Sequence, residues 1–187
     1  MNQALIQTTN AYLARSGTGA FKQVSKSEVD QLKAAAVTEQ ARLLIELLWE
    51  TGARISEVLD IHVADLNVEK ATLKIRRLKR RKVFEQIVPI PGNFANALRL
   101  YARAKARRGK IFTANRISAF RTLQALGKKV LGRNISPHQL RHGRTYDLVG
   151  RGVHPVVASK ALGHASLSSV LAYYHPTEDD LRKALQG

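Results

Sequence analysis

Ala71-Thr-Leu-Lys-Ile-Arg-Arg-Leu-Lys-Arg-Arg-Lys-Val-Phe-Glu-Gln-Ile-Val-Pro-Ile90 is the one stretch whose hydrophobic period breaks from that of its surroundings. Leu73 and Ile75, then Val83, Ile87, Val88 and Ile90, fit two strands on either side of a very basic turn, and Pro89 with Pro91 ends the run. On both sides the period is helical. Residues 38–51 carry Ala41, Leu44, Ile45, Leu47, Leu48 and Trp49, apolar around most of a helix, which predicts a core helix ended by Gly52. Trp49 reads as packing. Ahead of it, Ser25-Lys-Ser-Glu28 is a capping box that starts a helix near Ser27 with Val29 and Leu32 on its buried side. A short helix is expected over 56–61.

Downstream, residues 94–108 are amphipathic, with Leu98, Leu100 and Tyr101 set against a basic face, and 117–131 form another helix. Pro137 suits the first turn of a helix capped by Ser136 and running to about Val149. Helices over 153–162 and 167–174 follow, and Thr177 caps a last one through Leu185. The expected fold class is α+β, mainly α, with one small antiparallel β-sheet. Residues 1–20 carry little pattern and end in Ser16-Gly-Thr-Gly19, so they read as an N-terminal arm or linker ahead of a domain over 21–187.

A chain of 187 residues is long enough for one sizeable core. It has no cysteine, which excludes disulfides and thiolate metal sites and fits a reducing, cytoplasmic compartment. The N-terminus lacks the pattern of a signal peptide. The most apolar stretch, residues 43–49, is interrupted by Glu46 and is too short to cross a bilayer, so the expectation is a soluble protein with no membrane partner.

Charge is more informative. The chain carries a formal +17, and residues 86–146 contain 13 Lys or Arg and no Asp or Glu. Lys74, Arg76, Arg77, Lys79, Arg80, Arg81 and Lys82 crowd into the strand and turn just upstream. Such asymmetry is the footprint of a polyanion-binding face. Arg76, Arg77, Arg80, Arg81 and Lys82 are accordingly expected to attract a nucleic-acid backbone.

Against this background stand Arg54 in Thr51-Gly-Ala-Arg54-Ile-Ser-Glu57, then His138-Gln-Leu-Arg141, Leu162-Gly-His164 and Tyr173-Tyr174-His175. Attack on a phosphodiester adds charge to the non-bridging oxygens, which two guanidiniums can clamp with bidentate bonds. Arg54 and Arg141 are the candidates. A tyrosine hydroxyl titrates near 10 and needs help losing its proton, which His138 and His164 can supply while bonding the phosphate. The basic 5′-oxygen that leaves needs a proton, and a lysine of the turn suits that role. A zinc pair at His138 and His142 is rejected: Gln139 stands where a general-base Glu would, and Arg141 repels a cation. His142 reads as a structural hydrogen-bonding group, and His62 and His154 as surface residues.

In these motifs and their order the chain resembles the catalytic domain of the tyrosine recombinases, the phage-integrase and Xer-like family, over about residues 24–185. The resemblance implies a catalytic domain over 21–187 in which Arg54 and Arg141 clamp the phosphate, His138 belongs to the His-x-x-Arg motif, His164 takes the His or Trp position, and Glu57 supports the site. It selects Tyr173 over Tyr174 as nucleophile, by the spacing from Leu162-Gly-His164. It places the acidic lysine on the hairpin turn, where Lys79 is preferred and Lys82 is the runner-up. It further implies a site-specific DNA recombinase working through a 3′-phosphotyrosine, with neither metal nor cofactor, acting in integration, excision, inversion or resolution of a mobile element. The implied partners are double-stranded DNA, three further copies in a homotetramer on synapsed sites, and accessory DNA-bending or directionality proteins, at the nucleoid. A short N-terminus implies a natural short form or a fragment lacking the core-binding half of a DNA clamp. Two other readings stay open: a type IB topoisomerase using the same tyrosine chemistry, and a non-catalytic DNA-binding regulator.

Overall fold

Helix α2 (Glu39–Thr51) is the axis on which the domain is assembled. Thr38 caps it by accepting the Ala41 amide at 3.2 Å, and Leu43, Leu44, Ile45, Leu47, Leu48 and Trp49 are all buried. Each such large apolar side chain contributes roughly 1.5–3 kcal/mol relative to exposure. The computed structural model describes residues 23–79, 82–107, 109–164, 166–174 and 178–186; the expected arm over 1–20, Arg80, Arg81 and the Thr177 cap lie outside the described residues.

Around α2 pack α1 (Lys26–Ala34), α3 (Ile55–Leu59), α4 (Gly92–Lys105), α5 (Arg116–Leu131) and α6 (Pro137–Gly150). The Ser25–Glu28 box opens α1 as expected, with Val29 and Leu32 buried. A second box, Ser136 with Gln139, opens α6 behind Pro137. α7 (Pro155–Leu162), α8 (Ser168–Leu171) and α9 (Glu178–Gln186) complete the chain. Two buried clusters result. The main one is centred on α2; a much smaller one holds Leu148, Ala158, Leu162 and Val170, with Val153 and Tyr174 against it.

The sheet is antiparallel with order β1 (Leu66–Asn67), β2 (Thr72–Lys79) and β3 (Lys82–Pro89). Its register runs from Thr72↔Pro89 to Lys79↔Lys82, so the β2–β3 connection is only residues 80 and 81. The long basic turn expected from the sequence is therefore mostly strand. Leu73, Ile75 and Arg77 share one face of β2, opposite Val88, Gln86 and Phe84 of β3. Val83 and Ile87, in the strand as expected, fall on its other face and are exposed. Leu100 is exposed too, because the buried stripe of α4 is Phe94, Ala95, Leu98 and Ala102. Among the described residues no helix is long and apolar enough to cross a membrane.

Candidate active site

Two helix ends set the geometry. α2 stops where Gly52 turns left-handed at φ 54°, and α7 stops where Gly163 does so at φ 61°. The last carbonyls of a helix lack partners inside it and carry the negative end of its dipole. Here they converge on two buried arginines. Arg141 of α6 donates through Nη1 to the carbonyls of Gly52 and, at 2.8 Å, Leu162, and through Nη2 to that of Gly163 at 3.4 Å. Arg77 of β2 donates through Nη2 to the carbonyls of Thr51 and Ala161, both at 3.4 Å, and through Nε to Gln86 at 2.9 Å. A Cβ at position 52 would push the Leu162 side chain aside, and the left-handed φ of 54° favours glycine there.

Glu57, nearly buried on α3, supplies the counter-charge. Its Oε2 accepts from the Arg54 amide at 2.9 Å and from Arg77 Nη1 at 3.1 Å, and its Oε1 accepts from Arg54 Nη1 at 2.8 Å. Burial raises its pKa, but the Arg54 hydrogen bonds and the charges of Arg77 and Arg54 outweigh that and hold it below the usual carboxylate range. One carboxylate thus faces three guanidiniums. Burial, then Arg77 and Arg54, brings Arg141 down to about 10, still charged at neutral pH. The surplus positive charge favours an anion.

His164 follows the left-handed Gly163 and lies half-buried beside this shelf. Burial, then the charges of Arg141, His142, Arg54 and Arg77, lowers its pKa to about 4, so it is neutral near pH 7. Its buried Nε2 has no hydrogen-bond partner among the described residues. Tyr173 lies just past α8. Its hydroxyl is hydrogen-bonded to His142 Nδ1, and its ring meets Tyr146 edge-on, centroids 4.8 Å apart. Burial, then Tyr146, pushes the phenol up to about 12, with Arg141 opposing. The helix expected over 167–174 ends at Leu171, and the adjacent tyrosines diverge: the Tyr174 hydroxyl donates to the Val153 carbonyl. His138 sits exposed in the first turn of α6, close enough that its charge depresses His142.

The structure therefore gathers Arg54, Glu57, Arg141 and His164 by contact and mutual charge, and sets Tyr173 where Arg141 acts on it. Lys79 and Lys82 are Cα partners at the hairpin end. Arg77 corrects the sequence reading: expected on the DNA-facing surface, it is 1% exposed, because alternation with Leu73 and Ile75 turns it into the core. Arg76 points the other way, yet its fork is engaged by Asp65 in two 2.8 Å bonds. The contact of His142 and Tyr146 with Tyr173 was not read from the sequence; the signal available was that both share a helix with Arg141. Beside Glu57 an open groove of about 880 Å³ is edged by Arg76, Arg107, Lys110 and Arg116.

A mainly helical domain with a three-stranded antiparallel sheet, gathering arginines, histidines and a tyrosine, is the class defined so far. The model of the phage integrase family matches residues 22–180, and the chain belongs to that family. It is 31% identical over 161 residues to a protein named tyrosine recombinase XerA from Saccharolobus solfataricus, covering 86% of this chain and 54% of that one. It is 32% identical over 167 residues to tyrosine recombinase XerD from Corynebacterium glutamicum, covering 82% and 54%. The crystal structure of XerA recombinase superposes with a TM-score of 0.70 at 24% identity over 88% of this chain and 64% of that one. The XerH site-specific recombinase bound to its difH substrate, a pre-cleavage complex, gives 0.72 at 20% identity over 87% and 53%. The chain spans about half the length of the curated relatives it matches.

Proposed function

We propose that the chain is a site-specific recombinase that cleaves and rejoins double-stranded DNA through a 3′-phosphotyrosine. The observation that carries this reading is the guanidinium shelf of Arg54 and Arg141, with one carboxylate among three buried or half-buried arginines and the Tyr173 hydroxyl within reach of its field. A phosphodiester entering there meets pre-oriented charge that strengthens as the phosphorane forms, which is what lowers the barrier. Arg54 and Arg141 bind the non-bridging oxygens, and His138 and His164 add hydrogen bonds. Tyr173 forms the new bond to phosphorus as the bond to the 5′-oxygen breaks. Lys79 protonates that oxygen, with Lys82 as the other candidate. The 5′-hydroxyl of a second duplex then attacks the phosphotyrosine, so the phosphodiester is remade without an external energy source. Arg76, Arg107, Lys110 and Arg116 along the groove, together with Arg80, Arg81 and Lys82, attract the backbone through counterion release. A homotetramer on two synapsed sites, accessory bending or directionality proteins and a place at the nucleoid complete the reading.

A nicked duplex that loses its 5′-fragment after cleavage traps the covalent intermediate. Wild type and Tyr174→Phe are expected to form adduct with DNA, and Tyr173→Phe none. Adduct from Tyr173→Phe would falsify the assignment.

A further inference from the structure

Among the described residues, His142 is the imidazole in contact with the proposed nucleophile. His164 Nε2 is buried with no hydrogen-bond partner among the described residues, and at a pKa of about 4 it is a weak base. His138 lies exposed in the first turn of α6. His142, four residues on and therefore on the same helical face, is hydrogen-bonded through Nδ1 to the Tyr173 hydroxyl, and the two rings are tilted against each other with centroids 5.9 Å apart.

We propose that His142 is a catalytic base that takes the phenolic proton of Tyr173 during cleavage and returns it during rejoining. This deepens the reading of Tyr173 as nucleophile and rests on it. Among the described residues, the charged and titratable groups acting on His142 are His138 and Arg141 from α6, His164 after α7 and Tyr173 after α8, whose ring in turn meets Tyr146. Burial of the ring, then His138 and Arg141, holds its pKa below the ordinary 6.5. Near neutral pH it is therefore unprotonated, and the tautomer with its proton on Nε2 leaves Nδ1 to accept from the Tyr173 hydroxyl. As the bond from the Tyr173 oxygen to phosphorus forms, the proton on that oxygen passes to His142 Nδ1. The phosphorus–5′-oxygen bond breaks and that oxygen takes a proton from the lysine. In the reverse direction the imidazolium protonates the departing phenolate. No proton is gained or lost over a full cycle. The imidazolium, unwelcome beside Arg141 in the resting site, appears at the moment the phosphorane gains negative charge next to it.

The test is the single-turnover rate of adduct formation on the nicked duplex across the acid and neutral range. Wild type is expected to slow as pH falls through the folded pKa of His142, below 6.5, because a protonated imidazole cannot accept. His142→Gln should lose roughly 100-fold near neutral pH, the ordinary scale of general-base catalysis, and lose that acid limb. Installing a fluorinated tyrosine at 173, whose phenol is more acidic, should shrink the His142→Gln deficit to under about 10-fold, since a weaker base then suffices. A deficit of equal size with both phenols would mean that His142 only positions the ring, and would overturn the proposal. So would a wild-type rate flat with pH, which needs no variant, or a His142→Gln rate equal to wild type. Failure of the nucleophile reading is separately visible, because Tyr173→Phe retains His142 and would then still form adduct.

Discussion

Arg77 shows how a basic side chain becomes a structural one. Its guanidinium serves Glu57, Gln86 and the carbonyls of Thr51 and Ala161, so it joins β2, β3, α3 and the two helix ends. Two effects oppose each other on its removal: repulsion from Arg54 and Arg141 is relieved, while four buried acceptors lose their donor. Leaving a buried partner unsatisfied costs more than the relieved repulsion returns at the larger separation. Arg77→Met is therefore expected to destabilise the domain by about 3 kcal/mol in a denaturant melt, the scale for breaking a buried pair. Arg77→Lys should recover only part, because a point charge cannot serve acceptors in four directions. His164 makes a second prediction at this scale. Its folded pKa of about 4 lies below the unfolded 6.5, so within that window the unfolded chain holds a proton that the native site refuses. Stability is fully present above the upper limit and is lost as pH falls through the window, by on the order of 1–3 kcal/mol. His164→Asn should flatten that part of the stability–pH curve, and a melt that keeps its slope would count against the assignment.

At the level of elements, what was legible in the sequence was local chemistry. The Ser25–Glu28 box and the stop at Gly52 act within a few residues of themselves, and both stand where they were expected. What escaped depended on partners distant in sequence. The basic residues of 71–90 were read by charge, but the pleat decides which face each takes, and pairing with β3 fixed Arg77 inside and Val83 and Ile87 outside. β1 is two residues long, too short to show any period. Of the site, the motif residues were visible; the hydrogen bond from His142 was not, because it needs α8 folded back onto α6. A close join between elements lies at Gly163, whose added Cβ would stand 2.6 Å from Arg77 Nε. Gly163→Ala adds left-handed strain to that overlap and is expected to cost roughly 2–4 kcal/mol. Adduct formation should fall with it, since His164 is the next residue.

For the molecule as a whole, the partition into a large cluster and a very small one has an energetic consequence. Leu148, Ala158, Leu162 and Val170 alone form the interior of the unit that carries His164 and Tyr173. Four buried side chains yield a fraction of the burial energy that α2 and its neighbours share; beyond them, Arg77, Arg141 and Gln86 grip the end of α7 and His142 meets the Tyr173 hydroxyl. Native-state hydrogen exchange should find amides of α7 and α8 opening at several kcal/mol less than those of α2, with a smaller urea dependence because less surface is exposed than in global unfolding. A segment that opens before the rest takes with it the carbonyls of Ala161, Leu162 and Gly163 that aim Arg77 and Arg141, so docking switches on the nucleophile and the aim of its clamp together.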